Sequence, residues 1–323
     1  MSPLRGTTAC FRFHAAVILG GGLLMCSRKN DPSIAAGSLP EHHVPVAVWL
    51  LAAVVYLACI AVTAWLAAVF VSRDALRWNE MNGLLLLGTV ALAIAVMVHA
   101  TCTSSFSKAV TFFAIAFATG LAAEVIGVES GRLFGSPYAY HEEFVPKLVS
   151  GVPLFVPLAW FVLAYSPLVF LRRIEIGSAG RPRLRKLLGK ALLCACGLVA
   201  ADLFLDPLAT SVRAWTWQSP GGYFGVPVGN YAGWWLVGMV IYTTYFGLIS
   251  CEDDSLGPRV FAWDGSFVAT SIFFTAAALV AVTKHRGSIL PAVLGSCATA
   301  PYLVYWWRSW KRPAKLVNRD ESR

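Results

Sequence analysis

Apolar residues in this chain run in blocks of membrane length. Eight stretches, 44–71, 83–100, 109–128, 152–171, 187–208, 231–249, 267–282 and 289–307, are dominated by aliphatic and aromatic side chains. A helix needs roughly 20 consecutive apolar residues to cross the hydrocarbon core. Backbone groups in lipid must be paired within the chain, so such spans are helices. The pattern predicts an all-α fold, a polytopic membrane helix bundle of about eight transmembrane helices. The second and seventh blocks are the shortest. Residues 44–310 read as a single membrane domain, followed by a basic cytoplasmic tail at 311–323. Residues 1–43 stand apart. Their apolar part, 15–26, follows Arg5 and Arg12 and is short for a span. A signal-like segment, a ninth partial helix and a plain extension all fit it.

Composition agrees with this pattern. Of 323 residues, 57% are hydrophobic and 13% charged, against about 25% charged in a soluble domain. The net charge of +9 would suit nucleic acid, but its placement argues for a membrane surface. Arg172, Arg173, Arg181, Arg183, Arg185, Lys186 and Lys190 cluster between the fourth and fifth blocks, and Arg308, Lys311, Arg312 and Lys315 follow the eighth. Basic residues beside spans mark cytoplasmic loops. With both termini inside, seven of the 26 Lys and Arg fall outside: Arg73, Arg77, Arg132, Lys147, Arg213, Lys284 and Arg286. Loops 129–151 and 209–230 then share the outer face.

Candidate chemistry concentrates near that face. Glu124 lies late in the third block, and Asp202 and Asp206 late in the fifth. Ionisable residues inside a membrane are costly and usually face a cavity, a partner or a reaction. Four residues apart, the two aspartates share one helix face, with Asp202 about 6 Å deeper at 1.5 Å per residue. Pro207 is expected to end the regular helix, since it disfavours helical geometry at Asp206. A carboxyl removed from water favours its neutral, proton-donating form, which is what a general acid requires. The bland alternative is that these acids cap helices or pair with Arg132 or Arg213. Convergence of three on one side of one bundle favours a shared site.

Aromatic residues gather beside them. Trp215, Trp217, Tyr223 and Phe224 are interleaved with Pro220, Gly221, Gly222, Gly225 and Pro227. Interfacial belts of Trp and Tyr are common, but fixed turns suggest a shaped loop, and aromatic faces stabilise cations. The loop at 127–153 lies on the same side and carries Tyr138, Tyr140 and His141. None of the six histidines forms an HxxxH or HxxHH box, the eight cysteines lack metal or disulfide spacing, and no P-loop or dinucleotide fingerprint is present. The expected chemistry is acid–base work on an apolar substrate, with no metal and no cofactor.

Several motifs carry a resemblance to a known family. EVIG (124–127), FGSPYAY (134–140), GVPLFVPLAW (151–160), DLFLDP (202–207), WTW (215–217), YFGVP (223–227) and NYAGW (230–234) keep their order and spacing. This resembles the membrane carotenoid-biosynthesis hydratases of the bisanhydrobacterioruberin hydratase and gamma-carotene 1'-hydroxylase type. The resemblance covers about 120–240. Leu133 stands where a Pro is expected, Ala214 where a Gly is expected, and 142–148 diverges. The resemblance implies an enzyme of the prokaryotic cytoplasmic membrane that adds water across the terminal double bond of an acyclic carotenoid. Asp202 or Asp206 would donate the proton, with Glu124 as partner. Asn230 would orient water. Trp215, Trp217, Tyr223, Phe224, Trp234, Tyr138, Tyr140 and His141 would surround the substrate. Its partners would be a lipophilic carotenoid, membrane lipids and other carotenoid-pathway enzymes. An end-group cyclase and a proton-coupled transporter are the alternative functions.

Overall fold

The computed structural model describes residues 45–172, 183–249 and 258–310. Among the described residues eight α-helices follow one another: α1 (Val46–Ser72), α2 (Trp78–Thr103), α3 (Phe106–Ser130), α4 (Phe155–Phe170), α5 (Arg183–Ser211), α6 (Val228–Leu248), α7 (Pro258–Arg286) and α8 (Leu290–Trp310). The fold is the expected all-α membrane bundle. Among the described residues, five segments are long and apolar enough to cross a membrane: Val46–Ser72, Trp78–Thr103, Phe106–Ser130, Leu184–Ser211 and Ala262–Arg286. The extension at 1–43 and the tail at 311–323 lie outside the described residues, as do Arg173 and Arg181.

Two element lengths differ from the hydropathy reading. The second and seventh helices are full length, and α4, with 16 residues, is the shortest. The seventh block looked short because Asp264 interrupts it. In the structure Asp264 is buried, with its carboxylate 3.4 Å from Arg172 Nε and 3.6 Å from His99 Nε2. A charged residue thus belongs to the helix interior because α2 and the end of α4 bring it partners.

Local sequence explains the helix limits. Ser105 caps α3 by accepting a bond from the Lys108 N–H at 3.3 Å. Gly131, at φ 64°, closes it in the left-handed conformation that glycine adopts without strain. In the bundle, α5 is central and packs on α4, α6, α7 and α8. Helix α1 pairs with α2 and leaves Leu50, Leu51, Val54, Leu57 and Trp65 exposed, as suits a surface facing hydrocarbon rather than water.

A small two-stranded ribbon completes the architecture. β1 (Tyr138–Tyr140) pairs antiparallel with β2 (Trp215–Trp217), placing Tyr138 opposite Trp217 and Tyr140 opposite Trp215. Side chains alternate across a strand, so these four rings share one face while Ala139 and Thr216 share the other. Flanking bonds extend the ladder: His141 N–H to the Ala214 carbonyl at 3.1 Å and Gln218 N–H to the Pro137 carbonyl at 2.9 Å. The ribbon joins the α3–α4 and α5–α6 connections at one end of the bundle.

Candidate active site

Glu124 comes from α3, where Gly120 and Gly127 lie on the same face at the helical spacings of four and three residues. Both glycines make room for its partners. A Cβ at Gly120 would sit 2.7 Å from Trp160 Cβ, and one at Gly127 would sit 2.8 Å from the Tyr138 hydroxyl. With that space open, Trp160 of α4 donates from Nε1 to Glu124 Oε1 at 2.7 Å. The hydroxyls of Tyr138 and Tyr140 both donate to Oε2, the latter at 2.6 Å. Three donors thus converge on one buried carboxylate. Burial, reinforced by the facing Glu124 charge, pushes both phenols well above the ordinary tyrosine value. They therefore keep their protons and remain donors.

Asp202 and Asp206 occupy one face of α5 and are buried. They meet at a single group, the Asn230 side-chain amide in the first turn of α6. Its nitrogen lies 2.7 Å from Asp202 Oδ2 and 2.6 Å from Asp206 Oδ2. The Trp215 indole lies beside Asp206. Asp202 Oδ1 is buried without a hydrogen-bond partner.

Pro207 does not end the helix as its sequence position suggests; α5 continues to Ser211. Proline removes the N–H that would bond the carbonyl four residues earlier, here that of Leu203. The Tyr223 hydroxyl supplies the missing donor at 2.9 Å. Arg286 ties the loop of Tyr223 to α5 by donating to the Pro207 carbonyl at 2.8 Å and the Phe224 carbonyl at 2.6 Å.

The acids from α3 and α5 open onto one cavity of about 400 Å³. Glu124, Asp202, Asp206 and Asn230 supply its polar surface, while Tyr138, Tyr140, Trp160, Trp215, Trp217 and Trp234 supply rings. Trp160 stacks on Trp234 with centroids 4.2 Å apart, and Tyr138 packs on Trp217 at 4.7 Å. The part of the lining that comes from α1, α2 and α7, the apolar arm, includes Leu66, Gly88, Leu92 and Ala278. The cavity therefore combines acidic, ring-bearing walls with an apolar lining suited to hydrocarbon.

Three anticipated substrate contacts stand elsewhere. Tyr223 and Phe224 are absent from the cavity lining; Tyr223 repairs α5, and burial followed by the Asp202 charge raises its phenol. His141 is also outside the lining. It stacks on Trp78 with centroids 3.5 Å apart, and its Nδ1 accepts from the Glu143 N–H at 3.4 Å. Conversely, the sequence does not single out Trp160, which stands only as the last residue of the GVPLFVPLAW motif. The signal that could have found it is the pair of glycines flanking Glu124, since small residues on an acid's own face make space for a large partner.

The sequence profile of carotenoid biosynthesis proteins matches residues 81–301. The chain belongs to this carotenoid biosynthesis protein family. Every acid of the cavity lies inside the matched region. The chain is also similar to the bisanhydrobacterioruberin hydratase of Haloarcula japonica, with 32% identity over 117 residues. That match covers 36% of this chain and 38% of the relative's length. No solved structure matches the chain.

Proposed function

We propose that the cavity hydrates the terminal double bond of an acyclic carotenoid, giving a tertiary alcohol. The observation that carries this is the meeting of three buried carboxyls with a ring-lined apolar chamber, in a chain of the carotenoid biosynthesis protein family. The name of the Haloarcula japonica relative supports the same reaction.

The chemistry follows from the groups present. An acid of the α5 pair protonates the alkene at its less substituted carbon, and the positive charge falls on the tertiary carbon. General acid catalysis of this kind contributes about 10²–10⁴-fold. The ring faces of Trp217, Trp234 and Tyr138 attract the cation, each desolvated contact being worth about 2 kcal/mol. Water then adds to the cation and returns a proton to a carboxylate. Groups fixed by hydrogen bonds before the reaction need no reorganisation as charge develops, and the bonds of Asn230, Trp160 and the two tyrosines provide that fixity. A substrate dissolved in lipid enters through the apolar arm. In this proposal the protein resides in a prokaryotic cytoplasmic membrane, with the ribbon on the outer face. Other carotenoid-pathway enzymes are its neighbours, since substrate and product both remain in the bilayer.

Expression in lycopene-producing cells, followed by mass analysis of the pigments, tests the proposal. The expected product gains the mass of one water, and its oxygen derives from labelled water. A product of unchanged mass would indicate cyclisation instead, and oxygen derived from molecular oxygen would refute hydration.

A further inference from the structure

The hydrogen-bond partners of a carboxyl restrict where its proton can reside. An indole N–H donates and has no lone pair to offer, so Glu124 Oε1, bonded to Trp160 at 2.7 Å, accepts. At Oε2 two phenol hydroxyls converge, and both phenols hold their protons tightly. Two to three donors of this kind stabilise the charged form of a carboxylate. Glu124 is thus well served as an anion, with donors facing both of its oxygens.

The α5 pair is arranged differently. One Asn230 amide supplies the hydrogens for both Oδ2 atoms. Two ionised aspartates this close would repel each other, and a shared proton removes that repulsion. The open seat is Asp202 Oδ1, buried and without a hydrogen-bond partner on a residue that lines the cavity. Asp206, by contrast, has the Trp215 indole beside it.

We infer, on the hydratase reading above, that the carboxyls divide the work: Asp202 donates the proton through Oδ1, while Glu124 is a standing anion that balances the carbocation. Asp206 and Asn230 position the donor. In the step itself the Asp202 O–H bond breaks and its proton forms a C–H bond, using the π electron pair of the terminal alkene. The tertiary carbon becomes cationic, and a water oxygen gives it an electron pair. The proton shed by that water returns to the Asp202 carboxylate. Alkene and water are consumed, alcohol is formed, and the acid is restored. Glu124 exchanges no proton.

The test uses the full chain in membranes and two probes. One is N,N-dimethylgeranylgeranylamine, whose protonated head copies the shape and charge of the tertiary cation. The other is its neutral hydrocarbon isostere, with carbon in place of nitrogen. The wild type is expected to bind the ammonium roughly tenfold or more tighter than the isostere, as an unscreened opposite charge in a poorly hydrated cavity would require. Glu124→Gln should lower this preference several-fold, the remainder coming from the single charge of the aspartate pair, and an undiminished preference in that variant would overturn the anion assignment. Asp202→Asn should keep the preference while lowering hydration by about 10²-fold or more, and Asp206→Asn should cost less. Equal affinity of the wild type for the two probes would overturn the anion assignment, whether or not Glu124→Gln folds. Wild-type hydration in Asp202→Asn, or equal losses in the two Asp→Asn variants, would overturn the choice of donor. If the wild type adds no water to acyclic carotenoids, the hydratase reading itself fails, while the drop in probe preference on Glu124→Gln still decides the charge on Glu124.

Discussion

The Tyr223 hydroxyl donates to the Leu203 carbonyl at 2.9 Å, the carbonyl that Pro207 leaves without an intrahelical partner. One phenol from the loop thereby lets α5 continue past Asp202 and Asp206 to Ser211. Tyr223→Phe should then act on stability more than on chemistry. Leaving a buried acceptor unsatisfied costs about 1–3 kcal/mol. Thermal unfolding in detergent is expected to shift downward, while hydration by the folded fraction stays close to wild type. A large loss of activity without loss of stability would place Tyr223 in the chemistry after all.

Gly120 gives a sharper separation of space from chemistry. A methyl group there would collide with the Trp160 side chain. Gly120→Ala is expected to displace the indole that holds Glu124 and to lower hydration. Gly83 in α2, whose Cβ would meet nothing within 4 Å, provides the control. Gly83→Ala should leave activity unchanged, since alanine in a helix is favoured over glycine by roughly 1 kcal/mol. Comparable loss in both variants would contradict the steric account.

Gly88 tests the apolar arm. A Cβ there would make ordinary contacts, 3.6 Å from Leu66 and 3.8 Å from Thr63, so Gly88→Ala should be tolerated. Gly88→Phe should obstruct the passage. Long acyclic carotenoids are expected to lose turnover more than short acyclic terpenes, as measured by competition between the two. Equal losses would mean that the polyene takes another route.

The raised phenols of Tyr138 and Tyr140 set an alkaline limit. Their folded values lie above the unfolded value, so the folded state retains these protons longer. Their stabilising contribution is complete below about pH 10, the ordinary tyrosine value. It declines as pH rises from there toward the folded values. Denaturation measured across this window should show a shallower alkaline loss in Tyr138→Phe and Tyr140→Phe than in wild type. An unchanged slope would remove the two phenols from the linkage.

Much of the site was legible because carboxylates in apolar blocks are conspicuous. Glu124, Asp202, Asp206 and Asn230 do line one cavity, as their convergence on one side of the bundle suggested. The errors arose where a distant residue overrides a local preference. Pro207 reads locally as a stop, but its repair comes from Tyr223, sixteen positions away. Asp264 reads as the edge of a span, yet Arg172 and His99 draw it inside. YAY and WTW each show the period of two that suits a strand. Their pairing across 138 and 217 is a tertiary fact that neither triplet reveals. Phe224 and His141 come from the aromatic loop and the 127–153 loop on the same side, and a place in such a loop does not say which way a ring faces.

The hydrogen bonds of the site divide along the chain. All three donors to Glu124 lie between α3 and the end of α4, and the donor shared by Asp202 and Asp206 lies on α6, directly after α5. Each acid is thus matched within its own helical hairpin. Each hairpin can enter the bilayer during synthesis with its carboxyls already provided for, and neither has to wait unpaired for the other. The cavity arises only when these hairpins dock with each other and with α1, α2 and α7, so insertion of the acids need not wait for assembly of the chamber.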